Sequence, residues 1–331
     1  MLKFNQETGN YEMVREAVVI DPTAFSLEES ADENGVGHLF ITAKGAEKNL
    51  EMSDYCVNEG DEVPYHYHEY GSEIFFVTRG SVDAVMGGKQ IVVNPGDMIL
   101  IRPFMPHGFE YRENGTVWHE IIQGMDLWEG LTGLDRIYEN CPEKIEDDLF
   151  MRDYLKTEGR VDYLGYPYLE AETVSPEEMP GFCGKDMYYK SYQLPGIECR
   201  IKYPRWKMDN RKEVWEFIMD QGQIIAWDEP YFSHELMVVR SGSVKVEIEG
   251  YETQIAKTED IIHIPDYARH RITVLESGTV LQDFNVQYDL FLMMEELDIA
   301  RREGRLDDDL VLDCLNRYQC PVTEASGLIC R

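Results

Sequence analysis

Between Gly60 and Gly80 stand two histidines and a glutamate, His66, His68 and Glu73, and a further histidine follows at His107. Imidazole and carboxylate are ligands for Mn, Fe, Co, Ni or Zn, so these four side chains could surround one divalent ion. In extended chain alternate residues share a face, which turns His66 and His68 the same way. Tyr70-Gly71-Ser72 is a turn signal, and the β-prone run Glu73 to Thr78 after it can return Glu73 on a neighbouring strand. His107, past Pro95-Gly96-Asp97, can close the set from another strand. Four protein ligands leave about two places of an octahedron for water or a chelating substrate. Such an ion can polarise a carbonyl, lower the pKa of water or template an enolate, roles that suit oxygen-rich small molecules.

Candidate proton handlers around that set are Tyr65, Arg102, His119 and Glu120, with Glu73 itself a ligand and a candidate base. Arg102 could meet an anionic oxygen or form a surface ion pair. His119 lies in the β-prone run Val117 to Ile122, where it faces either the cavity or the outside; sequence leaves its parity open. Tyr65, Tyr67, Phe75, Phe104 and Phe109 point to an apolar pocket with a few polar handles, several of them serving as core.

The spacing of glycine, five residues, His-x-His, four residues, glutamate, six residues and glycine resembles the first motif of the cupin superfamily, and every fixed position is filled. The second cupin motif is met in part. Gly96 and His107 fit, whereas Arg102 and Phe104 occupy its proline and glycine places and Pro103 is displaced by one. The resemblance implies a mainly β protein with metal ligation by His66, His68, Glu73 and His107. It says little about the reaction, because one scaffold hosts many chemistries.

The elements that must position these residues repeat along the chain. Sliding the sequence on itself puts Gly60 on Gly222, Glu73 on Glu235 and Gly80-Ser-Val on Gly242-Ser-Val; one further residue of offset puts Asp97 on Asp260 and His107 on His270. That is a tandem duplication. Short β-rich runs separated by glycines, Ile74 to Thr78, Val82 to Met86, Ile91 to Val93 and Met98 to Ile101, then Leu236 to Val239, Val244 to Ile248 and Ile261 to Ile264, predict two jelly-roll (double-stranded β-helix) barrels. Helical tails are expected at Lys144 to Lys156, through Leu290, Met293, Met294 and Leu297, and through Leu310, Val311, Cys314, Leu315 and Tyr318. The domain reading is a first barrel with its tail in 1–160, a linker over 161–184, and a second barrel with its tail in 185–331. In the second barrel the His66 and His68 positions fall on Asp228 and Pro230. Asp228, Glu235 and His270 could form a carboxylate-rich triad, but without the imidazoles this barrel is read as structural. His234 and His263 are read as packed or surface side chains.

Across 331 residues, 63 acidic against 31 basic side chains give a formal charge of −32, which would repel a phosphate backbone or an anionic bilayer. Neither nucleic acid nor membrane is an expected partner. Seven widely spaced cysteines without a Cys-x-x-Cys argue against a disulfide framework or zinc ribbon, and the first residues lack an apolar signal core, so a reducing cytoplasm is expected. The tail helices make a homo-oligomer the expected assembly.

The resemblance extends to bicupin metalloenzymes. These include ring-cleaving dioxygenases of phenolic and flavonoid substrates, isomerases, oxalate decarboxylases, which keep both metal sites, and manganese-dependent cyclohydrolases that open cyclic polyketones such as dihydrophloroglucinol. One intact site, one degenerate barrel and long helical tails are similar to the last group. The expectation is therefore one divalent metal per chain, Mn first, with Fe, Zn, Ni or Co as alternatives. The expected reaction is hydrolytic C–C cleavage of a cyclic 1,3-diketone, with dioxygenation or isomerisation as the alternatives.

Overall fold

The computed structural model describes residues 2–5, 10–13, 19–20, 36–45, 48–125, 133–134, 136–137, 139–164, 171–208, 212–227, 235–264, 268–286 and 289–318. The mainly β, two-barrel plan with helical extensions is present. In the first barrel one sheet runs Phe182–Cys183, Met98–Ile101, Ser72–Arg79, Thr116–Gln123, Lys48–Val57, Val36–Gly45. The other runs Asp162–Tyr163, Glu62–Tyr67, His107–Tyr111, Val82–Met86, Lys89–Val93, Glu172–Thr173. The second barrel is built from a seven-stranded and a four-stranded sheet.

Alternation decides what each strand buries. Along Ser72–Arg79, Phe75 and Val77 join the first barrel's interior with Phe109 and Trp118, while Ile74 and Phe76 join a separate core with Leu236, Val238 and Phe284 of the second barrel. Both faces are covered, so the run reads as continuously apolar rather than alternating. Phe75 stacks on Trp118 with ring centroids 4.3 Å apart.

The motif glycines serve two purposes. Gly60 has φ 86° and open space around it, so it is there for its left-handed turn. Gly80 also has positive φ, and a Cβ on it would collide with the Thr116 side chain and backbone; Gly242 stands against Thr279 in the same way. The duplication therefore preserves a backbone contact as well as a pattern.

Two short arms cross between the halves. Phe182–Cys183, which precedes the second barrel in the chain, pairs with Met98–Ile99 of the first. Val19–Ile20, which precedes the first barrel, pairs with Ile261–Ile262 of the second. The segment read as a linker also lies along the first barrel: Asp162–Tyr163 pair with Tyr67 and His66, and Glu172–Thr173 run parallel to Lys89–Gln90. Tyr203 of the second barrel donates to the Gly181 carbonyl at 2.7 Å, tying this segment to both halves.

The expected helix over Lys144 to Lys156 divides into a 3-10 turn, Pro142–Lys144, and an α-helix, Asp148–Thr157. Asp147 caps the helix by accepting from the Phe150 amide at 3.1 Å, which fixes its start beyond the periodicity signal. Helices Leu290–Arg302 and Asp308–Arg317 lay Leu290, Met293, Met294, Leu297, Val311, Cys314 and Leu315 on the second barrel's core. Those apolar stripes are packing surfaces. Among the described residues no helix is long and apolar enough to cross a membrane.

Candidate metal centre

His66 and His68 come from strand Glu62–Tyr67 and the residue after it, Glu73 from Ser72–Arg79, and His107 from the start of His107–Tyr111, directly across the ladder from His66. All four are buried. The ligand atoms of the three histidines lie within 4.8 Å of one another. Glu73 bridges two of them, with Oε1 3.0 Å from His68 Nε2 and Oε2 3.2 Å from His107 Nε2.

The outer hydrogen bonds fix the tautomers. His66 Nδ1 is 2.6 Å from the Pro64 carbonyl, His68 Nδ1 3.0 Å from that of Arg160, and His107 Nδ1 2.9 Å from that of Met105. A carbonyl only accepts, so each Nδ1 carries the proton and each Nε2 turns its lone pair inward. His66 Nε2 and His68 Nε2 then face each other at 3.1 Å. Two lone pairs at that distance repel unless a proton or a cation sits between them. Glu73 Oε2 and His107 Nε2 are buried without a hydrogen-bond partner. Three inward imidazole nitrogens and a carboxylate form a donor set that a divalent transition ion fits.

Burial, with His107 and His68 alongside, holds His66 well below the usual histidine value, so it is a neutral ligand. Burial also opposes charge on His68, but Glu73 and the Arg160 carbonyl outweigh it and raise the imidazole. Glu73 would be raised by burial, yet His68 and His107 hold it well below the ordinary carboxylate range. Arg160 adopts φ 55°, the left-handed region, as it presents its carbonyl to His68.

Ladder register places the remaining sequence candidates. His119 turns away from the ligands: its ring stacks on Phe76 at 4.6 Å, on the face toward the second barrel. Its neighbour Glu120 is opposite Phe75 and so faces the interior, where Ser53 donates to it at 3.3 Å and its charge acts on His68. Tyr65 lies on the opposite face of its strand from His66, its hydroxyl accepting from the Gly88 amide at 3.2 Å. Arg102 is exposed just past the strand end. Phe104, in the motif's glycine place, takes φ 62° and donates its amide to the His68 carbonyl at 2.7 Å, so the turn is kept despite the substitution.

Sequence reasoning missed Tyr163, which pairs with His66 and shares its face, and Glu51, buried across the ladder from Ile122. Both faces of Thr116–Gln123 are buried, so alternation along it does not mark the face that Glu120 and, across the ladder, Glu51 share. Nothing in the sequence marks Tyr163, because its position depends on the docking of residues 161–164.

In the second barrel Glu235 Oε2 and His270 Nε2 stand 3.2 Å apart, repeating the Glu73–His107 separation, and His270 Nδ1 lies 3.3 Å from the Ala268 carbonyl. Asp228, Pro230 and His234 lie outside the described residues.

Residues 53–119 match the family model described as Cupin domain. The first barrel is a cupin domain. With its topology repeated downstream, the chain has a bicupin fold. This cupin is similar to quercetin 2,3-dioxygenase of Bacillus subtilis (strain 168), 28% identical over 94 residues. That match covers 25% of this chain and 28% of the dioxygenase, so the likeness spans little more than a quarter of the relative. Two variants of Bacillus subtilis oxalate decarboxylase are similar solved structures, each at TM-score 0.49 and 14% identity. One covers 91% of this chain and 87% of its own, the other 96% and 89%.

Proposed function

We propose that this cupin is a metal-dependent enzyme that opens an oxygenated six-membered ring by hydrolytic C–C cleavage of a cyclic 1,3-diketone. The observation that carries the metal-dependent part is the convergence of three inward Nε2 atoms and Glu73 on one point. His66, His68, His107 and Glu73 would hold a divalent transition ion, Mn by preference, which supplies Lewis acidity toward a ring carbonyl and lowers the pKa of water.

The chain's own residues account for the proton traffic. Glu120, held by Ser53 beside the imidazoles, takes a proton from the attacking water. Hydroxide adds to one carbonyl carbon, and the bond from that carbon to the methylene between the two carbonyls breaks. The electron pair leaves as the enolate of the second ketone, and Glu120 returns its proton to that carbon. The product is an acyclic keto acid, and atoms balance with water alone. Burial raises the Tyr163 hydroxyl above its ordinary value, so it stays protonated and can donate to the developing enolate oxygen. The aromatic interior of Phe75, Phe109 and Trp118 limits solvent around the ring.

A second reading is dioxygenation of a phenolic ring, favoured by the partial likeness to quercetin 2,3-dioxygenase. Anaerobic incubation of the metal-loaded protein with cyclohexane-1,3-dione and dihydrophloroglucinol, in water labelled with heavy oxygen, separates the two. Hydrolysis places solvent oxygen in a new carboxylate without O2. Strict dependence on O2, with its atoms in the product, selects dioxygenation instead.

A further inference from the structure

A cleft of about 410 Å³ lies between the barrels, lined by Phe76, Thr78 and His119 from the first and by Arg200, Lys202 and Arg240 from the second. It is separate from the His66 site, since Phe76 and His119 are on the opposite faces of their strands from Glu73 and Glu120. In a chain with twice as many acids as bases, a cation ordinarily finds a carboxylate. Arg200 has Glu198 at 2.8 Å and Glu216 at 3.3 Å. Lys202 has Glu216 at 3.6 Å and donates to the Lys185 and Met187 carbonyls at 2.7 and 2.8 Å.

Arg240 is different. Its guanidinium carbon lies 5.1 Å from the Phe76 ring centroid, and it makes no hydrogen bond or ion pair among the described residues. Glu216 and Glu259 act on it only at longer range, and burial pulls its pKa below the usual value. Phe76 is itself packed against His119, at 4.6 Å, and Phe284, at 5.2 Å, so the guanidinium lies on a ring with fixed neighbours. Five donors in a planar fork, partly desolvated and without an acceptor among the described residues, are available to an anion.

We propose that this inter-barrel cleft binds the carboxylate of a small organic monoanion, with Arg240 as its bidentate partner over Phe76. Thr78, Ser241 and Gln282 line the same space and offer hydroxyl and amide groups to the rest of the ligand. Single charge follows from the lining: Lys185, Arg200, Lys202 and Arg240 are offset by Asp186, Glu216 and Glu259, leaving a surplus of one positive charge. A dianion would meet those acids. The planar fork matches a carboxylate better than a tetrahedral oxyanion.

The test is calorimetric titration of benzoate and of pentanoate into the full-length His66→Ala chain, in which the metal centre is disabled, and into the same chain with Arg240→Met. The expected result is saturable binding of at least one monocarboxylate, weakened about tenfold or more by Arg240→Met, as loss of a charge-assisted bidentate pair requires. Inorganic phosphate at equal concentration leaves that binding unchanged. Without ligand, Arg240→Met should melt at or above its parent, because it removes a desolvated charge. No saturable binding of either probe, equal affinity in Arg240→Met, or displacement by phosphate would overturn the proposal. If Arg240→Met does not fold, Arg240→Lys decides: it keeps the charge but not the fork, so severalfold weaker binding supports the site and unchanged affinity overturns it.

Discussion

Tyr163 stands directly across the sheet from His66, their ring centroids 5.7 Å apart, although it belongs to the segment that connects the two barrels. The two side chains share a face of the ladder, so the connection supplies part of the surroundings of the metal centre. Two substitutions test what it and Glu120 do. Glu120→Gln keeps shape and removes the proton acceptor, and kcat on a diketone should fall by about 10²–10⁴ with metal content retained. Tyr163→Phe should lower kcat by roughly tenfold or more with little change in melting temperature. Full activity in Glu120→Gln would remove it from the mechanism.

Metal stoichiometry follows from the asymmetry of the barrels. Elemental analysis of the purified chain is expected to give close to one equivalent, with most of it lost in His66→Ala. Glu235→Gln should leave metal content unchanged. Two equivalents, one lost with each substitution, would assign a working site to the second barrel.

Glu73→Gln should hurt metal retention and turnover more than folding. The carboxamide keeps the size of the side chain but loses the charge that holds a divalent ion between His68 and His107. Circular dichroism and metal content measured on one preparation check this. A variant with normal metal content and normal rate would exclude Glu73 as a ligand.

A pH effect is expected far from the metal centre. Burial pushes the Glu213 carboxyl up to about 7, against the Trp215 indole, Arg205 and the Phe291 amide, which all favour its charged form. The unfolded chain titrates near 4.5, so between these values the folded state binds the extra proton. Its contribution is therefore full below the unfolded value, falls as pH rises toward about 7, and levels off above, a loss on the order of 3 kcal/mol. Urea unfolding at pH ~5 and pH ~8 should show a smaller difference in Glu213→Gln than in the parent. Equal differences would mean that Glu213 titrates normally.

The sequence by itself determined the ligand types, the barrel strands and the duplication, because each is local. His66 and His68 share a face through a period of two, and glycines such as Gly60 and Gly80 mark turns whose backbone other residues rarely adopt. The packing of Met293, Leu297 and Leu315 was legible for the same reason, as a helical period. Tertiary structure alone decided which face of Thr116–Gln123 is the interior. Burial on both sides erases the alternation that would have told His119 from Glu120. It also decided that residues 160–164 supply the Arg160 carbonyl and Tyr163 to the site, since cross-ladder partners distant in sequence leave no periodic trace. The placing of Arg240 over Phe76 in an inter-barrel cleft belongs to the same class: its chemistry is written in the chain, but the ring it rests on comes from the other barrel.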